Sequence, residues 1–117
     1  MGLTVDEQRA NDLFRWLRDF GLRFGWRQTG TLTKLQTEVN QGAIGLIVAR
    51  RVDDGKPGHI TIVVPETGDL KAKRDAAGEV TAPLQSQAGR VNFRRSTAPP
   101  TWWLGEAFAE SAFWLHG

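Results

Sequence analysis

Apolar residues along this chain recur first at helical and then at strand spacing. Leu13, Trp16, Leu17 and Phe20 repeat three and four residues apart, with Phe14 widening the stripe. Arg9, Asp12, Arg15 and Asp19 lie mostly on the other side, and Arg15 and Asp19 form an opposite-charge pair one turn apart. Ahead of the stripe, Thr4-Val5-Asp6-Glu7 reads as a capping box: a hydroxyl for the first free N–H groups and a carboxylate three residues on. Gly21 suits the position just past a helix end. The spacing predicts a helix over residues 5–20. Residues 22–30 read as a loop carrying Phe24 and Trp26. Thr31 or Thr33 then caps a second helix, which turns Leu32, Leu35 and Val39 inward and stops at Gly42.

The period then changes. Residues 43–51 and 59–64 are β-rich apolar runs on either side of the turn cluster Asp53-Asp54-Gly55-Lys56-Pro57-Gly58, which predicts an antiparallel hairpin. Residues 67–78 are polar and read as a loop. A third strand is expected over residues 80–87, with Pro83 marking an edge or a bulge. Pro99-Pro100 punctuates the chain before Trp102, and residues 111–116 read as a last strand. Two helices followed by three or four antiparallel strands predict an α+β domain with the N-terminal helices packed on the sheet. Leu13, Leu17, Phe20, Ile47, Ile62 and Val64 each occupy the apolar side of their element and are expected to share one core.

Composition narrows the functional classes. At 117 residues the chain reads as one domain over residues 1–117, either whole or excised from something longer. With no cysteine, disulfides, thiolate zinc sites and thiol nucleophiles are excluded from this sequence. A net charge of +2 is too mild to imply nucleic acid, and no apolar run reaches membrane-spanning length. Residues 1–7 show neither a basic nor an apolar leader region, so no cleavable secretory signal is expected; a cytoplasmic protein and an exported piece of a larger one both stay open. The aromatics are unusual, with five Trp, six Phe and no Tyr. Trp102-Trp103 reads either as packing against the first helix or as an indole surface capping a groove.

Phosphate-loop, nucleophile-elbow and His-Glu-x-x-His motifs are all missing. Two histidines cannot build a multi-histidine metal site, and no cofactor is implied. His59 is the most informative titratable residue. It follows Pro57-Gly58 and opens the strand Ile60-Thr61-Ile62-Val63-Val64, where a rigid element would hold an imidazole as a general base. On spacing alone it reads first as a histidine that merely ends a hairpin. Gln85 and Gln87 flank Ser86 and share one strand face, from which an amide could orient that imidazole or simply meet solvent. Lys71-Ala72-Lys73-Arg74 and Arg90 with Arg94-Arg95 are short basic clusters, and both read as solvated surface or as a contact for an acidic partner. Glu106 and Glu110 stand four apart, and His116 is expected to be exposed or frayed.

Pro57-Gly58-His59-Ile60-Thr61-Ile62-Val63-Val64-Pro65, followed by Gln85-Ser86-Gln87-Ala88-Gly89, resembles the second half of papain-like cell-wall hydrolases of the NlpC and CHAP type. Asn11-Asp12-Leu13-Phe14 looks like the family's Cys-Asn-x-Phe helix segment, and Asp19-Phe20-Gly21 and Gly25-Trp26 continue the likeness. The resemblance implies a helix packed on an antiparallel sheet, His59 as base facing residues 10–14 of the first helix, and Gln87 or Gln85 as its orienter. Where the family places its Cys, this chain has Asn11, or Ala10 one residue away, and an Asn amide is not a nucleophile.

Three functions follow as expectations. The first is a catalytically silent relative that binds a peptidoglycan fragment or a protein partner in the former cleft, around Asn11, Trp26, His59, Gln85, Gln87, Trp102 and Trp103. The second is a hydrolase in which Asp12 and His59 form an acid–base pair and water attacks. The third is a regulatory interaction domain acting through its surface, with the segment from Arg90 to Arg95 as one candidate contact. A cysteine supplied from outside this sequence would restore thiol chemistry to the first.

Overall fold

Helix α1 (Ala10–Phe20) buries Ala10, Asn11, Phe14 and Leu17, the stripe expected from its spacing shifted by one position toward Phe14. The computed structural model describes residues 10–53, 55–56, 58–87, 95–97 and 100–117; the expected capping box at residues 4–7 lies outside them, as do Ala88, Gly89, Arg90 and Arg94. A 3-10 turn (Gly21–Phe24) leads into strand β1 (Trp26–Thr29), so the expected loop over residues 22–30 is half ordered into a strand. Thr31 caps helix α2 (Leu32–Asn40), its side chain accepting from the Lys34 N–H at 3.2 Å.

Strands β2 (Ile44–Arg51) and β3 (His59–Val63) form the expected antiparallel hairpin, with Ala49 opposite His59 and Gly45 opposite Val63. The expected third strand divides at Pro83. Before it, β5 (Val80–Ala82) pairs with β4 (Lys73–Arg74) in a small separate sheet; after it, β6 (Gln85–Gln87) pairs with β3. Proline has no N–H for a ladder, and the next N–H, that of Leu84, is taken by Gln36 Oε1 at 2.9 Å. The last strand, β7 (Phe108–His116), begins earlier than expected and runs through the middle of the sheet. The main sheet has the order β1-β7-β2-β3-β6 and every neighbouring pair is antiparallel. The protein is therefore α+β, with two helices packed on an antiparallel sheet.

The helices take opposite faces. Phe14 and Leu17 of α1 pack with Leu46, Val48, Ile60, Trp26 and Trp114. Leu35 and Val39 of α2 pack with Ile47, Ala49, Val63, Leu115 and Trp103. This corrects the single expected core: Leu13, Leu17 and Ile62 belong to the α1 side, Ile47 to the α2 side, Val64 lies half-buried just past β3, and Phe20 is 44% exposed. Gly45 explains how closely α2 approaches. A Cβ built there would lie 2.5 Å from Val39 Cγ2, so only glycine lets the helix settle on β2 at that point.

Candidate functional site

The route to the site starts at Asn11. Its side chain is 4% exposed; Nδ2 donates to the Lys56 carbonyl at 2.9 Å and Oδ1 accepts from the Arg51 N–H at 3.0 Å. Arg51 ends β2 and Lys56 lies in the β2–β3 connection, so α1 clamps the hairpin from one end. Gly58 lies directly against that clamp. A Cβ there would meet Asn11 Oδ1 and the Ala49 carbonyl, each at 2.5 Å. The Gly-His pair thus has a steric reason: glycine allows the strand start to press against β2 and α1, and His59 follows at a fixed height on β3.

His59 lies opposite Ala49, on the α2 side of the sheet, and its half-buried ring meets Trp102 edge-on at 4.7 Å between centroids. Trp102 in turn donates its indole N–H to Gln85 Oε1 at 3.0 Å, and the same oxygen accepts from Thr61 Oγ1 at 2.7 Å. Thr61 and Gln85 are 2% and 4% exposed, which makes this a buried, hydrogen-bonded floor beneath a His–Trp pair. Phe108 and Trp103 meet the Trp102 ring at 5.3 and 5.7 Å, and the Arg51 guanidinium stands 5.1 Å from the Phe108 centroid. Gln87 pairs with Thr61 in the β3–β6 register.

The structure brings His59, Gln85, Trp102 and Trp103 to one face of the sheet, keeps Gln87 on β6 beside Thr61, and places Asn11, Asp12 and Trp26 elsewhere. His59 does not face residues 10–14 of α1; alternation turns Ile60 and Ile62 toward that helix instead. Asp12 is exposed on α1, its side chain 81% accessible and paired with Arg15 at 3.4 Å, so it and His59 stand on opposite sides of the sheet. Asn11 is engaged by the hairpin. Trp26 is buried on the α1 face, its ring 4.9 Å from His116. Trp102 and Trp103 pack on the α2 face rather than against the first helix, with Trp103 only 4% exposed. His116 is not frayed: it is half-buried in β7, with Nε2 3.0 Å from the Phe24 carbonyl. Glu110 lies on a strand and pairs with Arg50, so it forms no helical carboxylate pair with Glu106.

Sequence reasoning missed Thr61, whose signal was present: it is the single polar residue inside the apolar strand Ile60-Thr61-Ile62-Val63, where a buried hydroxyl needs a partner. It also missed a polar knot at the opposite end of β3. There Glu66 accepts from Arg74 at 2.6 and 2.9 Å, from Asn40 Nδ2 at 2.9 Å and from the Ala72 N–H at 2.8 Å. The Arg74 side-chain hydrogen bonds hold the Glu66 carboxyl down at about 2, outweighing the opposing effect of burial, with Asn40 and the Ala72 N–H adding to the shift. This knot pins the loop after β3 to α2. Among the described residues no group of three or more His, Asp or Glu is placed to hold a metal ion, and no helix is long and apolar enough to cross a membrane. Compared with family models, with curated proteins and with solved structures, the chain matches none of them.

Proposed function

We propose that this chain is a relative of the NlpC/CHAP-type hydrolases that has lost both the thiol and the shared face of the Asn11 position and His59, and that it binds a peptide, either a peptidoglycan fragment or a segment of a protein partner, against His59 and Trp102. The observation that carries this reading is the Thr61–Gln85–Trp102–His59 arrangement. A buried amide accepts two hydrogen bonds at one oxygen and thereby fixes an indole, and the indole and an imidazole at the start of a strand meet at right angles. A fixed imidazole beside half-exposed aromatic rings suits a peptide that stacks an apolar group and hydrogen-bonds through its amides.

Binding is favoured over turnover because the attacking group is missing. The chain has no cysteine, the Thr61 hydroxyl is committed to Gln85, and Asp12 stands across the sheet from His59. Muropeptide digestion by the wild type beside His59→Ala, together with titration of the same muropeptides into both and into Trp102→Phe, tests the reading. Neither protein is expected to cleave. Binding is expected to be saturable, weaker in His59→Ala, and weaker in Trp102→Phe, which keeps a ring but loses the N–H that Gln85 holds. Robust wild-type cleavage that disappears in His59→Ala, or binding unchanged in both variants, would overturn it.

A further inference from the structure

Strands β1 and β7 are unequal partners. β1 pairs Trp26–Thr29 with residues 113–116 and then leaves the sheet through Gly30 into α2. β7 runs on to Phe108, and among the described residues its stretch 108–112 is paired on the β2 side only. The direction of its backbone groups follows from the ladder. The reciprocal hydrogen bonds between Gln85 and Ser96, with the Val64 N–H donating to the Leu84 carbonyl, fix the phase at β3–β6, and alternation carries it across the sheet. Phe113 and Leu115 direct their N–H and C=O toward β1. Ser111, next in that series and solvent-exposed, directs its own toward the open side.

The space beside that edge is shaped on both faces. On the α2 face lies a cavity of about 450 Å³ walled by Thr29, Trp103, Leu104 and Phe113. On the α1 face lies another of about 300 Å³ walled by Phe14, Trp114, Arg18 and Glu110. Gln28, Ser111 and Ala112 line both, so the two cavities flank one backbone segment. A Cβ built on Gly30, where β1 turns away, meets nothing within 4 Å.

We propose that the edge of β7 at residues 108–112, which no described strand pairs on this side, is a strand-addition site, which takes an extended peptide in line with β1. Ser111 offers the backbone donor and acceptor. Successive side chains of a strand point to opposite faces, so the peptide's alternate residues enter the two cavities in turn. The α2-side cavity, walled by Trp103, Leu104 and Phe113, takes apolar side chains. The α1-side cavity carries the Arg18 guanidinium, whose Nε donates to Asp19 at 3.0 Å, and the Glu110 carboxylate, whose Oε2 accepts from Arg50 at 3.2 Å, beside the Gln28 side chain of β1. A side-chain amide complements the groups those pairs leave over, accepting from an Arg18 Nη–H and donating to Glu110 Oε1. The peptide class is therefore apolar–amide–apolar in extended form. This site is independent of the His59 reading, since neither cavity includes His59 or Gln85.

The probe is the blocked peptide acetyl-Thr-Leu-Gln-Leu-Thr-amide carrying a fluorophore, followed by anisotropy and by amide chemical shifts on the intact chain. Saturable binding is expected, with shifts concentrated at Gly30, Leu104 and Ser111. Ser111→Pro removes the outward N–H at a position where an edge strand tolerates proline. Leu104→Asp places a charge in the apolar cavity at a side chain that is 71% exposed, so the fold does not depend on it. Each is expected to weaken binding about tenfold or more, as is N-methylation of the peptide backbone, while His59→Ala leaves it unchanged. Absence of saturable binding up to millimolar peptide would overturn the proposal. So would binding that survives both variants, or self-association of the chain through this edge that the peptide does not compete away.

Discussion

Asn11 offers the sharpest test of how α1 positions the His59 hairpin. Asn11→Ala removes two hydrogen bonds, to the Lys56 carbonyl at 2.9 Å and from the Arg51 N–H at 3.0 Å, at a side chain that is 4% exposed. Each bond contributes about 1 kcal/mol net, and leaving the Arg51 N–H without its acceptor adds about 1–3 kcal/mol, so a total loss of about 3–5 kcal/mol is expected. Urea denaturation reads that loss directly. Amide spectra should localise the change to residues 50–60 and leave α2 unaffected. A loss below about 0.5 kcal/mol, the range of an ordinary surface substitution, would refute the clamp. The same geometry decides the outcome of installing a thiol. In Asn11→Cys the sulfur lies against the hairpin while His59 looks to the other face, so the variant is expected to lose stability like Asn11→Ala and to gain no amidase activity.

Gly45→Ala drives a methyl group into Val39, and overpacking of this kind is expected to cost about 1–3 kcal/mol, read as a lower urea midpoint with an unchanged slope. Leu17→Ala empties a 1%-exposed position on the α1 side and should cost about 2–5 kcal/mol; a change within about 0.5 kcal/mol would contradict that packing. Glu66 predicts an acid response. Its folded carboxyl titrates at about 2, below its ordinary value of 4.5, so its contribution is fully present above that ordinary value and is lost as pH falls toward 2. In Glu66→Gln, stability between those limits should become flatter with pH, and an unchanged slope would show that Arg74 does not hold the carboxylate.

Much of the fold is legible in the chain because its strongest signals are local. The α1 stripe, the Thr31 cap and the turn cluster between β2 and β3 each specify an element without reference to the rest. The choice of sheet face is not local. Residues 44–49 are apolar or glycine at every position, the mark of a strand covered on both sides, and reading them by alternation alone collapses two cores into one. The same ambiguity misplaced His59: alternation separates it from Ile60 and Ile62, yet nothing in the spacing says which helix lies on which side. Strand β1 is too short for its pattern to show, and Trp26 reads as a loop aromatic until its pairing with His116 is seen. At the site, the Gly58-His59 start and Gln85 were readable. The meeting of His59 with Trp102 was not, because it depends on a second 3-10 turn, Trp102–Leu104, delivered by a distant segment.

The placement of β7 between β1 and β2 sets the order in which this protein can assemble. β1 has β7 as its sheet neighbour on one side and is the outer strand on the other, so it gains its ladder only after a segment from nearly the opposite end of the described chain has arrived. The β2–β3 hairpin closes a short loop and can form early, offering β7 a template. Closure of β1 is the long-range step, slow for an entropic reason that no side-chain substitution in the core removes. A circular permutant with its new ends in the polar loop after β3 would bring β7 ahead of α1 and β1. It would shorten the stretch of chain between the two strands to little more than α1, and should speed refolding while leaving the final sheet unchanged.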